Sequence, residues 1–195
     1  MHLAAAPFRP LRALVLAAAL ALLATTITAP PASAAPPRVT LFGDSVQASF
    51  GFSSQAERTL GAGLRLRVEA EVCRSLVSRG CLGGQPPSAL AVAEALGGGL
   101  GDVAIVNVGY NDFGRNYDVE RLLRVFRRSG VRVVVWVTLR ETRGEYVTTN
   151  RLIRAAARRA DRRGDLPVVR VADWNAHSLG RPWFASDGLH LNGAG

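Results

Sequence analysis

The chain has no lysine, a single methionine, two cysteines and three histidines in 195 residues. Without lysine there is no Gly-Lys-Ser or Gly-Lys-Thr ending, so Gly97-Gly98-Gly99 followed by Gly101 reads as a flexible connection and not as a phosphate cradle. Two cysteines without histidine partners argue against a zinc site. After residue 34 no segment stays apolar for the ~20 residues that a spanning helix needs. The sequence also contains no internal repeat.

The N-terminus carries the pattern of an export signal. Arg9 and Arg12 form a basic start, Ala13 to Ala24 an apolar run, and Ala32-Ser33-Ala34 a small-residue cleavage site. A membrane anchor is the alternative, disfavoured because the run is too short. Cleavage leaves 161 residues (35–195), the size of one domain with its own core, and lowers the formal charge from +9 to +7. A closing helix is expected beyond Gly195, where this sequence stops. The mature chain is expected to be secreted and monomeric.

All 24 basic residues are arginine. The densest cluster, Arg151, Arg154, Arg158, Arg159, Arg162 and Arg163, falls at helical spacings opposite Leu152, Ile153, Ala156, Ala157 and Ala160, and reads as a solvated helix face. Attraction to anionic envelope polymers or lipid headgroups is the sharper alternative; nucleic acid is not expected of an exported chain. Cys73 and Cys81 bracket seven residues, and an oxidising compartment favours a disulfide between them over two reduced thiols. Closing so short a loop is worth roughly 2.5 kcal/mol in the chain-entropy model.

Short β-branched runs at 38–42, 64–72, 103–108, 131–137 and 168–171 predict five strands. Helical spacing fills 46–60, 88–96, 119–128 and 146–163, with Pro86-Pro87, Asp118 and Thr148 as helix starts. Such alternation predicts an α/β fold with a parallel sheet and helices on both faces, which accounts for the nearly continuous apolar runs at 103–106 and 131–137. Ligands of such folds bind beyond the carboxyl ends of the strands, where Ser45, Asn111, Arg140 and Asp173 fall.

Ser45 ends Val39-Thr40-Leu41-Phe42-Gly43-Asp44-Ser45, a hydroxyl at a strand end. A serine needs a base to act as nucleophile. His2 leaves with the signal, so the base is His177 or His190, and only His190 has an acid, Asp187, three residues before it to orient its ring. Asn111, in Gly109-Tyr110-Asn111-Asp112, is a candidate side-chain donor for an oxyanion, with Gly109 permitting a tight turn; alone it would read as an ordinary turn or cap.

These three blocks resemble the SGNH hydrolases, the GDSL esterase and lipase family: Gly43-Asp44-Ser45 matches the nucleophile block, Gly109-Tyr110-Asn111-Asp112 the asparagine block and Asp187-Gly188-Leu189-His190 the Asp-x-x-His block. The resemblance implies a three-layer α/β/α sandwich of flavodoxin-like type on a five-stranded parallel sheet. It implies Ser45 as nucleophile, His190 as base and acid, Asp187 as its orienter, a largely structural Asp44, and neither metal nor cofactor. It also implies an oxyanion hole made from the Ser45 amide, the Asn111 side chain and the amide of a glycine after the second strand. Cys73 stands where that glycine belongs. A backbone amide requires no particular side chain, so Cys73, held by a disulfide to Cys81, is the expected second amide donor.

The surroundings of Ser45 lack Gly-x-Ser-x-Gly, which sets the chain apart from α/β-hydrolases. A secreted serine ester hydrolase is therefore expected, acting on small-molecule or polysaccharide esters such as acetylated carbohydrate or short-chain lipid esters. Transfer of the acyl group to an envelope polysaccharide and an inactive binding domain are the alternatives. Tyr110, Trp174, Trp183 and Phe184 are candidate lining residues, and Arg115, Arg140 and Arg143 candidates for favouring an anionic substrate, against packing and a solvated rim respectively.

Overall fold

The computed structural model describes residues 35–113 and 116–195; residues 1–34, which hold the expected export signal, and Arg115 lie outside the described residues. The β-branched runs form β1 Arg38–Gly43, β2 Arg65–Ala70, β3 Val103–Asn107, β4 Val133–Val137 and β5 Val168–Ala172. All neighbours pair in parallel, in the order β2-β1-β3-β4-β5. Between them lie α1 Ser45–Ala48, α2 Ser54–Gly61, α3 Ala89–Leu96, α4 Val119–Arg128 and α5 Gly144–Arg162, and α6 Trp174–His177 follows β5.

The steps β2 to β3, β3 to β4 and β4 to β5 run one way across the sheet, and their helices α3, α4 and α5 share one core. Ala89, Leu90 and Ala93 of α3, Leu122 and Phe126 of α4 and Ile153, Ala156 and Ala160 of α5 pack there with Phe42, Val106, Val134 and Trp136 of the sheet. The step from β1 to β2 runs the other way, and right-handed crossover then assigns its helices to the opposite face, giving three layers. That second face is less completely covered than the apolar runs suggested: Val103, Ile105, Val133 and Val135 are only half-buried.

Three local expectations are corrected. The helical pattern over 46–60 is split into α1, a 3-10 turn Ser49–Phe52 and α2. The Ser49 hydroxyl donates back to the Val46 carbonyl, and the Ser53 side chain accepts from the Ala56 N–H as a fresh N-cap. Serine thus offers the backbone a local alternative to continued helix. Thr148 does not start α5: its hydroxyl donates to the Gly144 carbonyl inside the helix, whose first residue is Gly144. The glycines at 97–99 are not a loose connection but a 3-10 turn, Gly97–Leu100, joined to β1 where the Thr40 hydroxyl donates to the Leu100 carbonyl at 2.7 Å. By contrast, Asp118 caps α4 as its position suggests, and α3 follows Pro86-Pro87 with Ser88 as its N-cap.

Phe126 is fully buried, with its ring centroid 5.4 Å from that of Phe42, where α4 meets β1. Phe126→Ala is expected to lower the unfolding free energy by about 3–5 kcal/mol. Urea denaturation followed by circular dichroism measures this, and a loss below about 1 kcal/mol would show that this contact is not central to the core.

Candidate active site

Gly43 at the end of β1 is in register with Ala70 of β2 and Asn107 of β3, so three loops leave the sheet from one line. Gly43 must be glycine, because a Cβ there would sit 2.3 Å from the Cβ of Gln47 in α1. The chain then turns directly into α1, placing Ser45 at its first residue with Asp44 as N-cap.

Asp44 is fully buried. One carboxylate oxygen accepts from the Val46 N–H, and the other accepts from the N–H groups of Gly109 and Tyr110, each at 3.2 Å. It therefore clamps the start of α1 to the loop that follows β3. Burial pushes its pKa up to about 6, against the pull of these three donors and of His190. Gly109 allows the tight approach: at φ +153, an added Cβ would meet the Leu139 side chain at 2.8 Å.

The loop after β2 is tied to the same place. The Asn111 side-chain amide donates to the Arg74 carbonyl at 3.2 Å, the Ser75 hydroxyl donates to the Asn111 carbonyl, and the Leu76 N–H donates to the Asp112 carboxylate at 3.0 and 3.1 Å. Asp112 is buried, and burial pushes its carboxyl up to about 7, with the charge of Asp44 adding to the shift. Cys73 and Cys81 form a disulfide with Cα atoms 5.2 Å apart. Among the described residues, no acceptor takes the Ser45 N–H or the Cys73 N–H.

From the other end of the chain, a short antiparallel pairing of Phe184 with Leu191 presents the turn Asp187–His190. The Leu189 and His190 N–H groups donate to one Asp187 carboxylate oxygen; the other lies 2.6 Å from His190 Nδ1. His190 Nε2 lies 2.9 Å from Ser45 Oγ. The hydrogen bond from His190, followed by the backbone donors, holds Asp187 down to about 2. The structure thus brings Ser45, His190 and Asp187 into one chain of hydrogen bonds, with Asn111, Cys73 and Gly109 in the adjoining loops. Held so low, Asp187 is an ionised acceptor near neutral pH that can fix the Nδ1–H tautomer and leave Nε2 free to accept a proton from Ser45.

His177 is not part of this chain. It packs with Trp174 and Trp183, whose rings stack with centroids 5.9 Å apart, beside Phe184. Tyr110 is buried, its ring edge-on to Tyr146, and its hydroxyl accepts from the Arg140 N–H at 2.8 Å. Arg140 is not a free rim charge: its guanidinium lies 3.8 Å over the Phe184 ring and donates to the Gly188 carbonyl, inside the Asp187–His190 turn. Its position past β4 marked it as near the site, but nothing in the sequence marked it as a clamp. Arg143 is exposed and precedes α5. In the arginine cluster, Arg154, Arg159 and Arg163 pair with Asp173, Glu120 and Asp165. No group of three or more His, Cys, Asp or Glu side chains among the described residues is arranged to hold a metal ion, and no described helix is long and apolar enough to cross a membrane.

The model of the GDSL-like lipase/acylhydrolase family matches residues 41–195. Among solved structures, a family 3 carbohydrate esterase from Talaromyces cellulolyticus aligns with a TM-score of 0.52 and 17% identity, over 80% of this chain and 88% of that one. A family 3 carbohydrate esterase from Clostridium thermocellum aligns with a TM-score of 0.50 and 15% identity, over 81% of this chain and 88% of that one. At such identities the likeness is one of fold. A search of the curated proteins finds no match.

The raised carboxyl of Asp112 makes stability depend on pH. Its folded value, about 7, lies above the ordinary 3.8, so the native state binds more protons than the unfolded chain between these values. This contribution to stability is complete below the unfolded value and is lost as pH rises through the folded one. Asp112→Asn removes the titration, so the variant's deficit relative to wild type should shrink by roughly 2–4 kcal/mol between pH 4 and pH 8. Urea titrations at the two pH values measure it, and a constant deficit would refute the raised value.

Proposed function

Because the chain belongs to the GDSL-like lipase/acylhydrolase family, we propose that it hydrolyses acyl esters through a covalent acyl-enzyme on Ser45. The observation that carries this reading is the hydrogen-bonded sequence Ser45 Oγ, His190 Nε2, His190 Nδ1 and Asp187, with links of 2.9 and 2.6 Å. Ser45 Oγ attacks the acyl carbon as its proton passes to His190 Nε2. The carbonyl oxygen becomes an oxyanion held by the Ser45 N–H, the Cys73 N–H and the Asn111 side-chain amide. His190 returns the proton to the leaving alcohol oxygen as the ester bond breaks. A water then gives a proton to His190 as its oxygen attacks the acyl carbon, and His190 returns that proton to Ser45 Oγ as the acyl–oxygen bond breaks and the acid leaves.

Acylated carbohydrate is the substrate class this reading puts first, since both aligned structures are those of carbohydrate esterases. The reading includes export after removal of residues 1–34, a monomeric state, and weak attraction of the basic surface to anionic envelope polymers. Transfer to a sugar hydroxyl would use the same intermediate, and product analysis with an added sugar acceptor distinguishes it from hydrolysis.

Ser45→Ala should lower kcat/KM on p-nitrophenyl acetate by about a thousandfold or more, and Asp187→Asn should lower kcat by roughly 10³–10⁴ by freeing the wrong tautomer. A serine-directed phosphonate should label wild type and not Ser45→Ala. Turnover that survives Ser45→Ala would falsify the assignment.

Arg140 is a positioning residue in this scheme. Arg140→Ala removes the guanidinium from Phe184 and Gly188 while leaving the backbone N–H on Tyr110, and should lower kcat about tenfold with little change in KM. Arg140→Lys, which keeps charge but loses the planar stack, should restore only part of the loss. Wild-type kcat in both variants would show that the turn holds itself.

A further inference from the structure

Cys73 has φ +69, in the left-handed region that glycine favours. A side chain there is strained and persists only where the surroundings enforce it. Among the described residues, the other non-glycine positions with positive φ are Phe113 and Asn116, in the loop before α4. Cys73 instead lies three residues past the end of β2, on the sheet edge that carries Ser45, and its N–H has no acceptor among the described residues.

The enforcing contacts run to a firm anchor. Cys81 is bonded to Cys73 and donates its N–H to the Cys73 carbonyl at 3.3 Å. Cys81 itself belongs to a compact turn in which Gly80 pairs with Gly84 and Leu82 with Gln85. Gly80 is packed so closely that a Cβ would lie 2.1 Å from the Gln85 carbonyl oxygen. On the other flank, Arg74 is buried, donates to the Pro87 carbonyl and pairs with Glu71 at 3.3 Å. The carbonyl of Arg74 takes the Asn111 amide.

We infer that the Cys73–Cys81 disulfide is a positioning device for ester turnover: it imposes on Cys73 the backbone conformation that a glycine would adopt unaided, so that the Cys73 N–H faces the oxyanion. Cys81 is then a positioning residue with no contact to substrate. Because Asn111 donates to the residue that follows Cys73, the same crosslink steadies two oxyanion donors. The inference rests on the serine-esterase reading above.

The test compares kcat and KM on p-nitrophenyl acetate for wild type, Ser45→Ala, Cys73→Ser/Cys81→Ser and Cys73→Gly/Cys81→Ser, each shown to be folded by circular dichroism. Both double variants lack the crosslink, but only glycine takes φ +69 without it. The serine variant should lose about tenfold to a hundredfold in kcat with KM within about threefold, and the glycine variant should recover to within about threefold of wild type. If the serine variant does not fold, wild type reduced by a dithiol serves instead. The dithiol leaves as its cyclic disulfide while Cys73 and Cys81 each gain a hydrogen, and the same loss should appear and reverse on reoxidation. Equal kcat in both double variants, whether undiminished or equally reduced, overturns the inference, as does undiminished kcat after complete reduction. Absence of Ser45-dependent turnover in wild type overturns the esterase reading, and the inference with it.

Discussion

The site is organised around one buried carboxylate. Asp44 spans the 65 residues to Gly109 with a pair of hydrogen bonds and caps the helix that begins at Ser45. Placing a charge in the interior is costly, and the rise of its pKa to about 6 records that cost. What offsets it is saturation of the acceptor: three backbone N–H groups, each of which would otherwise be an unmet buried donor, are satisfied by one side chain. Removing Asp44 would therefore release two loops at once, since neither Val46 nor the Gly109-Tyr110 turn has another partner of this kind.

From that clamp the loops are linked in series. The β3 loop, fixed by Asp44, holds the β2 loop through Asn111 and Asp112. The β4 loop is held by Asn150 of α5, which both accepts from the Leu139 N–H and donates to the Leu139 carbonyl at 2.7 Å. Arg140 follows at once, and its guanidinium carries the fixation to the Asp187–His190 turn. The sheet supplies a common edge, but the relative positions of the groups are set by these side chain to backbone bonds between loops. Such bonds tolerate little error, since a donor displaced by an ångström loses much of its interaction with a developing oxyanion.

How much of this could be read from the sequence depends on the range of the interaction. The strands were legible because parallel strands covered on at least one face favour β-branched apolar runs, and Val133–Val137 is four valines and a tryptophan. α4 was legible to its cap because Asp118 and the apolar period agree. Thr148 misled because a threonine hydroxyl can serve a helix interior as readily as a helix start, and Ser49 and Ser53 broke a helix that period alone would continue. The nearness of Ser45 to His190 was legible only as three short blocks in order. The clamp by Arg140 was not legible, because one arginine among 24 carries no local mark of the carbonyl it will meet. Nor was the left-handed backbone of Cys73, for which the sequence offers a cysteine and not a glycine.

The two halves of the site differ in exposure, and this bears on where catalysis must come from under the proposed mechanism. The side chains of His190 and Asp187 retain 42% and 49% of their accessible surface. Their attraction is screened by water, so Asp187 acts chiefly by geometry, with its own backbone donors fixing it relative to the ring. Cys73 and the Asp44 clamp, by contrast, are buried. Fixed N–H groups on that side work in a lower dielectric and need not reorganise as negative charge develops on the acyl oxygen. An open base beside donors fixed from the buried side leaves room for an ester on a bulky alcohol to reach Ser45. It also moves the burden of transition-state stabilisation onto the backbone of the β2 loop, where Cys73 holds a left-handed conformation.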